Sequence, residues 1–461
     1  MTDRDEKTVL AIPTDSSKPE SVPQSQSLWH SVAFIVLAAF LLRLAVITIG
    51  HTYRITPRRD HFQFGWEMGR IARSVATGRG FGSPTDLDTG PSAWAPPVYP
   101  YILAGVFKLF GVYSAASALV ILAFNSLFAA LTCLTIYGIA QRIYGNEVAR
   151  AAAWTWAAFP YVIYWPTRVV WETSFTTFLL SLALLLTLRV SDKPPSHRAW
   201  ILFGALWGLI VLTNTALVSM LPFCLLWILY RRGLTRKQVL GAALSVLTAV
   251  VVVSPWIVRN YVVFGKFIFV RDNLPLELHM ANNQESSGLW TRNEHPGNDD
   301  AAMREFQRLG EIQFMENKRE EFQQFVRKHP GEFARFTVKR AFYFWAAPPS
   351  LTITSNGYDL GFARHTGFLL GAVLAFAGLW LTIRNRIRGC FLLACFLLLY
   401  PLPYYMVQPF PRYKAPIEPE MILLIVFLFW EAKHVRLRFP FGRETPGLAK
   451  AGPGTPAPSS S

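Results

Sequence analysis

The sequence predicts an all-α polytopic integral membrane protein with about ten transmembrane helices and two long periplasmic segments. Three observations predict it. Of 461 residues, 52% are hydrophobic and only 16% are charged, whereas a soluble chain of this length carries roughly a quarter charged residues. Apolar runs long enough to cross about 30 Å of hydrocarbon recur along the chain. The cations gather on one side of those runs. Aromatic residues make up 14% of the chain, which excludes disorder over most of its length.

Residues 1–28 are polar and rich in Ser, Pro and Lys, and read as a disordered cytoplasmic tail. The run 31–50 reads as a retained first span. The polar stretch before it is too long and mixed for the start of a signal peptide, and no small-residue cleavage site follows. Further runs lie at 114–141, 148–165, 172–190, 199–213, 216–230, 238–255, 366–383, 389–407 and 416–430. The chain then divides into a transmembrane core, 31–255, holding a first periplasmic loop, 51–113; a periplasmic helical segment, 256–365; C-terminal spans, 366–432; and a Gly/Pro-rich disordered tail, 443–461. The stretch 199–230 carries Thr213-Asn214-Thr215 at its centre and reads as two short helices meeting at Asn214. A single tilted helix there would invert everything downstream. No internal repeat is visible.

In the ten-span arrangement the inward short loops hold sixteen Lys and Arg residues, and the outward ones hold three: Arg168, Arg412 and Lys414. That asymmetry places both termini in the cytoplasm. The net charge of +16 therefore reflects topology, and no nucleic-acid partner is expected. Cys133, Cys224, Cys390 and Cys395 fall inside apolar runs at no zinc-like spacing and read as lone buried thiols. Within 256–365, Phe306, Leu309, Ile312, Met315, Phe322, Phe325 and Val326 recur at helical spacing up to His329-Pro330-Gly331 and read as a packing face.

The first outward loop places Arg58 and Arg59 directly before Asp60, about ten residues beyond the first span. Neighbouring cations favour the ionised carboxylate, the form a general base needs, although an interfacial ion pair has the same signature. Asp86-Leu87-Asp88 has the spelling of a metal-holding DxD, but in a Gly/Pro/Thr loop it reads as turn chemistry. Other outward cations are Arg259, Arg271, Arg412 and Lys414, for which headgroup anchoring is the plain alternative. Asn282 and Asn283 read as structural.

The order of several short motifs carries a resemblance. Arg43 stands late in the first span, an acidic residue follows in the loop, and Ala72 to Phe81 ends in Gly-Arg-Gly-Phe. Pro96-Pro97-Val98-Tyr99-Pro100 and Leu109-Phe110-Gly111 come next. Later come Gly204 to Leu209 with Leu212-Thr213, Pro255-Trp256 with Arg259-Asn260, and Arg412-Tyr413 ahead of Pro416. No one piece is specific. The ordered set, over about residues 35–430, resembles the glycosyltransferase C-fold superfamily. Within it, the set resembles the lipid-carrier-dependent transferases, family 39 and its bacterial relatives, which include the protein O-mannosyltransferases and aminoarabinose transferases.

The resemblance implies a bacterial inner-membrane enzyme that moves a sugar from a polyprenyl-phosphate donor to an envelope acceptor on the periplasmic side, with inversion. It implies one carboxylate base, with cations facing the departing phosphate. Asp60 stands thirteen and Glu67 six positions before Arg73, on either side of the family's usual spacing. Both are therefore candidate catalytic residues, with Asp60 preferred. Arg58, Arg59, Arg259, Arg412 and Lys414 are the candidate phosphate-binding cations. Glu172, beside Trp171, resembles an acidic residue of many superfamily members, although an acid in a helix's first turn is favourable in itself. No cofactor is implied, and a divalent-metal requirement is left open. A transporter of lipid-linked sugars and a non-catalytic assembly partner are the rival readings. The clustering of charged residues at the span edges and the lack of a visible repeat count against the first.

Overall fold

The computed structural model describes residues 31–55, 63–192, 195–289, 294–348, 354–355, 358–359 and 361–434. Helices follow one another as α1 (Val32–Ile49), α2 (Trp66–Ala76), α3 (Val98–Phe110), α4 (Ala115–Ile143), α5 (Asn146–Ala158) and α6 (Pro160–Arg168). Next come α7 (Thr173–Asp192), α8 (His197–Thr213), α9 (Leu221–Arg232), α10 (Arg236–Phe264), α11 (Leu274–Ala281) and α12 (Asp300–Leu309). The last six are α13 (Glu311–Lys328), α14 (Pro330–Ala346), α15 (Gly361–Arg384), α16 (Cys390–Leu398), α17 (Leu402–Met406) and α18 (Glu418–His434). Among the described residues, strand pairing is limited to a ladder of Thr354–Ser355 with Tyr358–Asp359 and one bridge, Gly82 to Pro91.

Each of the ten expected spans contains helix, but among the described residues six helical stretches are long and apolar enough to cross a membrane. These are α1, α4, α7, the stretch Thr215–Arg232, α10 and α15 from Arg364. The other expected runs fall short of that length as single helices, and the reason is local. Run 148–165 is divided at Pro160, run 389–407 is divided before Leu402, and α8 and α18 are 17 residues each. The boundary expected at 255 also moves, because α10 continues through Pro255 to Phe264. Asn214 does divide 199–230: α8 ends at Thr213, and Asn214 Oδ1 accepts from the Ala216 N–H at 3.2 Å. A short 3₁₀ turn then leads into α9.

Proline explains how two breaks are satisfied. Pro160 has no N–H for the Trp156 carbonyl one turn back. The Arg43 guanidinium, fully buried on α1, donates instead to Trp156 O at 3.3 Å and Ala157 O at 3.0 Å. Pro255 likewise strips Val251 O of its donor, and Ser254 Oγ supplies one at 2.9 Å.

The bundle closes through small residues, as helix pairs in lipid do. Gly204 and Gly208 lay α8 against α10 so closely that a Cβ at Gly204 would sit 2.2 Å from Ser245 O, and one at Gly208 2.6 Å from Val252 Cβ. Ser245 Oγ donates to Trp200 O across the same seam at 2.8 Å. Gly204→Ala must therefore push the helices apart, at a cost of about 1–3 kcal/mol. The expected result is a lower melting temperature in detergent, with unchanged expression of the Gly105→Ala control, where a Cβ meets open space.

At one end of the bundle α2, α3 and α11–α13 build a cap with its own apolar cluster, including Phe64, Trp94, Phe107, Trp171, Phe306 and Phe314. The helical stripe of 306–326 is interrupted at Gly310, where φ is +76°, and Phe306, Phe314, Met315 and Phe325 are buried as a packing face. Arg340 on α14 ties this cap to the end of the chain. It is fully buried and donates to Tyr405 O at 2.7 Å, Ala281 O at 2.9 Å and Asn282 Oδ1 at 2.9 Å. Asn282 Nδ2 in turn donates to Met406 O at 3.1 Å, which accounts structurally for that asparagine.

Candidate active site

The cap and the bundle meet around Trp171-Glu172, the turn that leads into α7. This turn is held from behind by Asn125 of α4. Its Nδ2 donates to Val169 O at 3.3 Å, and its Oδ1 accepts from Tyr99 Oη, of the Pro-Pro-Val-Tyr-Pro motif, at 3.1 Å. Trp171 is met edge-on by Trp66 at 5.1 Å. The Arg412 guanidinium lies over its indole, 4.4 Å from the ring centroid. Such a stack is characteristic of arginine and fixes the planar cation without consuming its N–H groups.

Glu172 and Arg412 line one enclosed cavity together with Thr176, Asn214, Tyr400, Tyr404 and Tyr413. The free volume is about 10 Å³, room for about one water. Neither Glu172 Oε2 nor Arg412 Nε has a hydrogen-bond partner. Buried polar atoms without partners cost about 1–3 kcal/mol each, so this pair marks a place built for something that would satisfy both. Tyr400 Oη donates to Tyr413 O at 2.8 Å and braces the turn that carries Arg412.

Two further carboxylates lie near enough to interact electrostatically with this pair, although neither lines the cavity. Glu67 sits in the first turn of α2, behind Gly65 at φ +101°. Its Oε1 lies 3.3 Å from His295 Nε2. Burial alone would raise the Glu67 pKa, but the hydrogen bond from His295, with the charge of Arg70, holds it below the usual carboxylate value. Glu277 on α11 accepts from Gln408 Nε2 at 2.8 Å. It lies in the fields of Arg271, Arg412, His295 and Glu67, and burial raises its pKa despite the cations. Glu172 lies in the fields of Arg412, Arg271 and Glu67. The arrangement is thus three acids and two arginines with a histidine, on five separate stretches of chain.

The sequence-based candidates divide clearly. Glu67, Glu172 and Arg412 come together, and Arg271 joins them. Arg58, Arg59 and Asp60 lie outside the described residues. Arg259 is placed elsewhere: it donates to Ser92 O at 2.7 Å and Phe81 O at 2.8 Å and stacks on Trp256 at 4.8 Å, which makes it a clamp on the first loop. Lys414 is buried, its Nζ 3.4 Å from the Phe368 ring centroid, and does not line the Glu172 cavity. Asp88 is a turn residue, as expected, and accepts from Ser83 Oγ at 2.8 Å and the Gly90 N–H at 3.3 Å. Glu277 and His295 carried no signal in the sequence reading. Among the described residues, no three His, Cys, Asp or Glu side chains are grouped as metal ligands.

A second cavity, of about 540 Å³, opens beside the first between α3, α8 and α10. Pro97, Val98, Tyr101, Leu212, Val252 and Trp256 make it largely apolar, with Arg259 as its single cation. Leu212 stands two residues before Asn214, so the two cavities share the end of α8.

A family model described as dolichyl-phosphate-mannose-protein mannosyltransferase matches residues 95–258, a little over a third of the chain. The structure of the oligosaccharyltransferase AglB from Archaeoglobus fulgidus, in complex with an inhibitory peptide and a dolichol-phosphate, superposes over 88% of this chain at 13% identity with a TM-score of 0.52. The chain has the glycosyltransferase C fold. A second structure of the Archaeoglobus oligosaccharyltransferase, tethered with an acceptor peptide, gives 14% identity over 89% of this C-fold chain and a TM-score of 0.53. The chain spans about half the length of that archaeal protein. ArnT from Cupriavidus metallidurans, bound to undecaprenyl phosphate, aligns over 87% of this chain and 77% of its own at 15% identity, with a TM-score of 0.37, too loose a superposition to argue from. No curated protein matches the sequence.

Proposed function

We propose that the protein transfers a glycosyl group from a polyprenyl-phosphate carrier to an envelope acceptor (lipid, glycan or protein) at the periplasmic face of the bacterial inner membrane, with inversion. The observation that carries this reading is the meeting of Glu67, Glu172 and Glu277 with Arg412 and Arg271 at one end of a helical membrane bundle. The fold and the partial family match agree with it. The ten helical runs cross the membrane together, the shorter ones sheltered by their neighbours, and both termini face inward; the sixteen-to-three division of cations supports this topology.

In this reaction the acceptor heteroatom attacks C1 of the sugar. The C1–O bond to phosphate breaks, and its electron pair leaves with the polyprenyl phosphate. The acceptor's proton goes to a carboxylate. Phosphate has a second pKa of about 6 and departs without a protonating acid, so a single base suffices. Glu67 is the base we favour among the described residues, and Asp60 is the other candidate. Arg412 and Arg271 face the phosphate, where charge grows as the bond breaks. Glu172 and Glu277 orient the acceptor. The lateral apolar cavity takes part of the polyprenyl chain, with Arg259 at its rim.

The test is purified protein in detergent with a panel of undecaprenyl-phosphate-linked hexoses and pentoses, together with an extract of envelope lipids and glycans. Mass spectrometry is expected to find free undecaprenyl phosphate and a glycosylated acceptor in equal amounts. Full transfer by both Asp60→Asn and Glu67→Gln would defeat the proposal.

A further inference from the structure

His295 lies in a His-Pro-Gly turn, and the turn decides which ring nitrogen carries the proton. The Gly297 N–H donates to His295 Nδ1 at 2.9 Å. A neutral imidazole that accepts at Nδ1 holds its proton at Nε2. Nε2 is the atom that lies 3.3 Å from Glu67 Oε1, so the ring donates to the carboxylate.

The surroundings fix the ring in place. It is 8% exposed. Trp94 meets it edge-on at 5.5 Å and is backed by Phe306 at 5.8 Å. The preceding residue, Glu294, is anchored by His279 at 3.2 Å and Lys318 at 3.4 Å. The approach at Gly297 is close: a Cβ there would lie 3.1 Å from His295 Nδ1 and 3.5 Å from Arg70 Nη1. A hydrogen-bonded, packed and locally anchored ring aimed at one carboxylate oxygen resembles the supports that hold working carboxylates and imidazoles elsewhere.

We propose that His295 is a positioning residue: its Nε2–H fixes Glu67 Oε1 and leaves Oε2 as the oxygen that takes the acceptor's proton. This rests on the reading of Glu67 as the base. The other charged groups facing the pair are Arg70 on α2, Glu172 before α7 and Glu277 on α11, with Arg271 and Arg412 beyond Glu277. With the ring removed, burial and the two neighbouring acids act on Glu67 with Arg70 and a backbone hydrogen bond left to oppose them. The carboxylate then protonates at higher pH.

Three substitutions test the role, using undecaprenyl-phosphate-linked sugars as donor. Glutamine places an amide N–H where Nε2 stands, asparagine reaches only the Nδ1 position, and phenylalanine keeps the ring's shape without a donor. His295→Gln is expected to keep kcat within about fivefold of the parent. His295→Asn and His295→Phe are expected to lose about 10- to 100-fold in kcat at unchanged KM for donor. In these two variants the acid limb of kcat against pH is expected to move to higher pH, a change that loosened folding alone does not produce. Parent-like kcat and acid limb in both Asn and Phe variants would overturn the role. So would a Gln variant as impaired as Phe at equal melting temperature. Inactive Glu67→Gln alongside parent-like His295→Phe leaves the transferase reading standing and removes only this inference, whereas an active Glu67→Gln removes Glu67 as base and His295's role with it.

Discussion

Arg412→Gln is expected to lower kcat for sugar transfer by about 100- to 1,000-fold while changing the donor KM far less. The guanidinium is already in place over Trp171 at 4.4 Å, and its Nε lacks a partner in the resting protein. Its charge is therefore poised before any ligand arrives, and no rearrangement is needed when the phosphate gains charge. A preorganised donor at a developing anion is typically worth about 2.7–4 kcal/mol in the transition state, which is the source of the expected factor. Arg412→Lys is expected to recover little, because a compact ammonium neither stacks on an indole as a plane nor forks across two oxygens. Steady-state kinetics on the undecaprenyl-phosphate panel provide the check, and a kcat within about threefold of the parent in Arg412→Gln would remove Arg412 from the phosphate site.

Arg340→Met is expected to lower stability by about 3 kcal/mol or more and to loosen two segments at once. The side chain donates to Tyr405 O, Ala281 O and Asn282 Oδ1 from a fully buried position. Methionine fills much of the volume but leaves these acceptors without donors, and each such orphan costs about 1–3 kcal/mol. The loss falls where α11 and the 402–413 stretch are joined, a junction that also holds the Gln408–Glu277 bond of 2.8 Å. Hydrogen exchange is expected to rise in residues 278–289 and 402–413 and to stay unchanged along α4 and α7. Uniform protection throughout would show that the arginine is not the tie.

Much of the helical frame was legible because lipid imposes long apolar runs, and such runs are visible one residue at a time. Asn214 is an example: a polar residue between two Thr in an apolar stretch has few uses other than ending a helix. Span lengths were less legible. Pro160 divides a run that hydropathy alone joins, and it is tolerated only because Arg43, over a hundred residues earlier, supplies the missing donor. Gly310 similarly cuts a stripe whose period continues on both sides. At the site, Glu172 and Arg412 stood out as charges at the edges of apolar runs. Glu277 and His295 did not, since both lie in an amphipathic segment where acids and histidines are ordinary. Their meaning comes from Gln408 and Gly297, contacts that no spacing rule anticipates. Arg259 shows another limit: a cation at a span edge looks the same in sequence whether it waits for a phosphate or, as Arg259 does, donates to two carbonyls.

Arg43 also bears on how the chain is made. On its own helix the Arg43 guanidinium finds one acceptor, the Ala39 carbonyl. Its other acceptors, Trp156 and Ala157, belong to a segment synthesised over a hundred residues later. Until α5 enters the bilayer, that charge has to be sheltered by water, headgroups or the insertion machinery. α1 therefore reaches its final seat only after α5 has arrived, so biogenesis of this protein is coupled between segments more than a hundred residues apart.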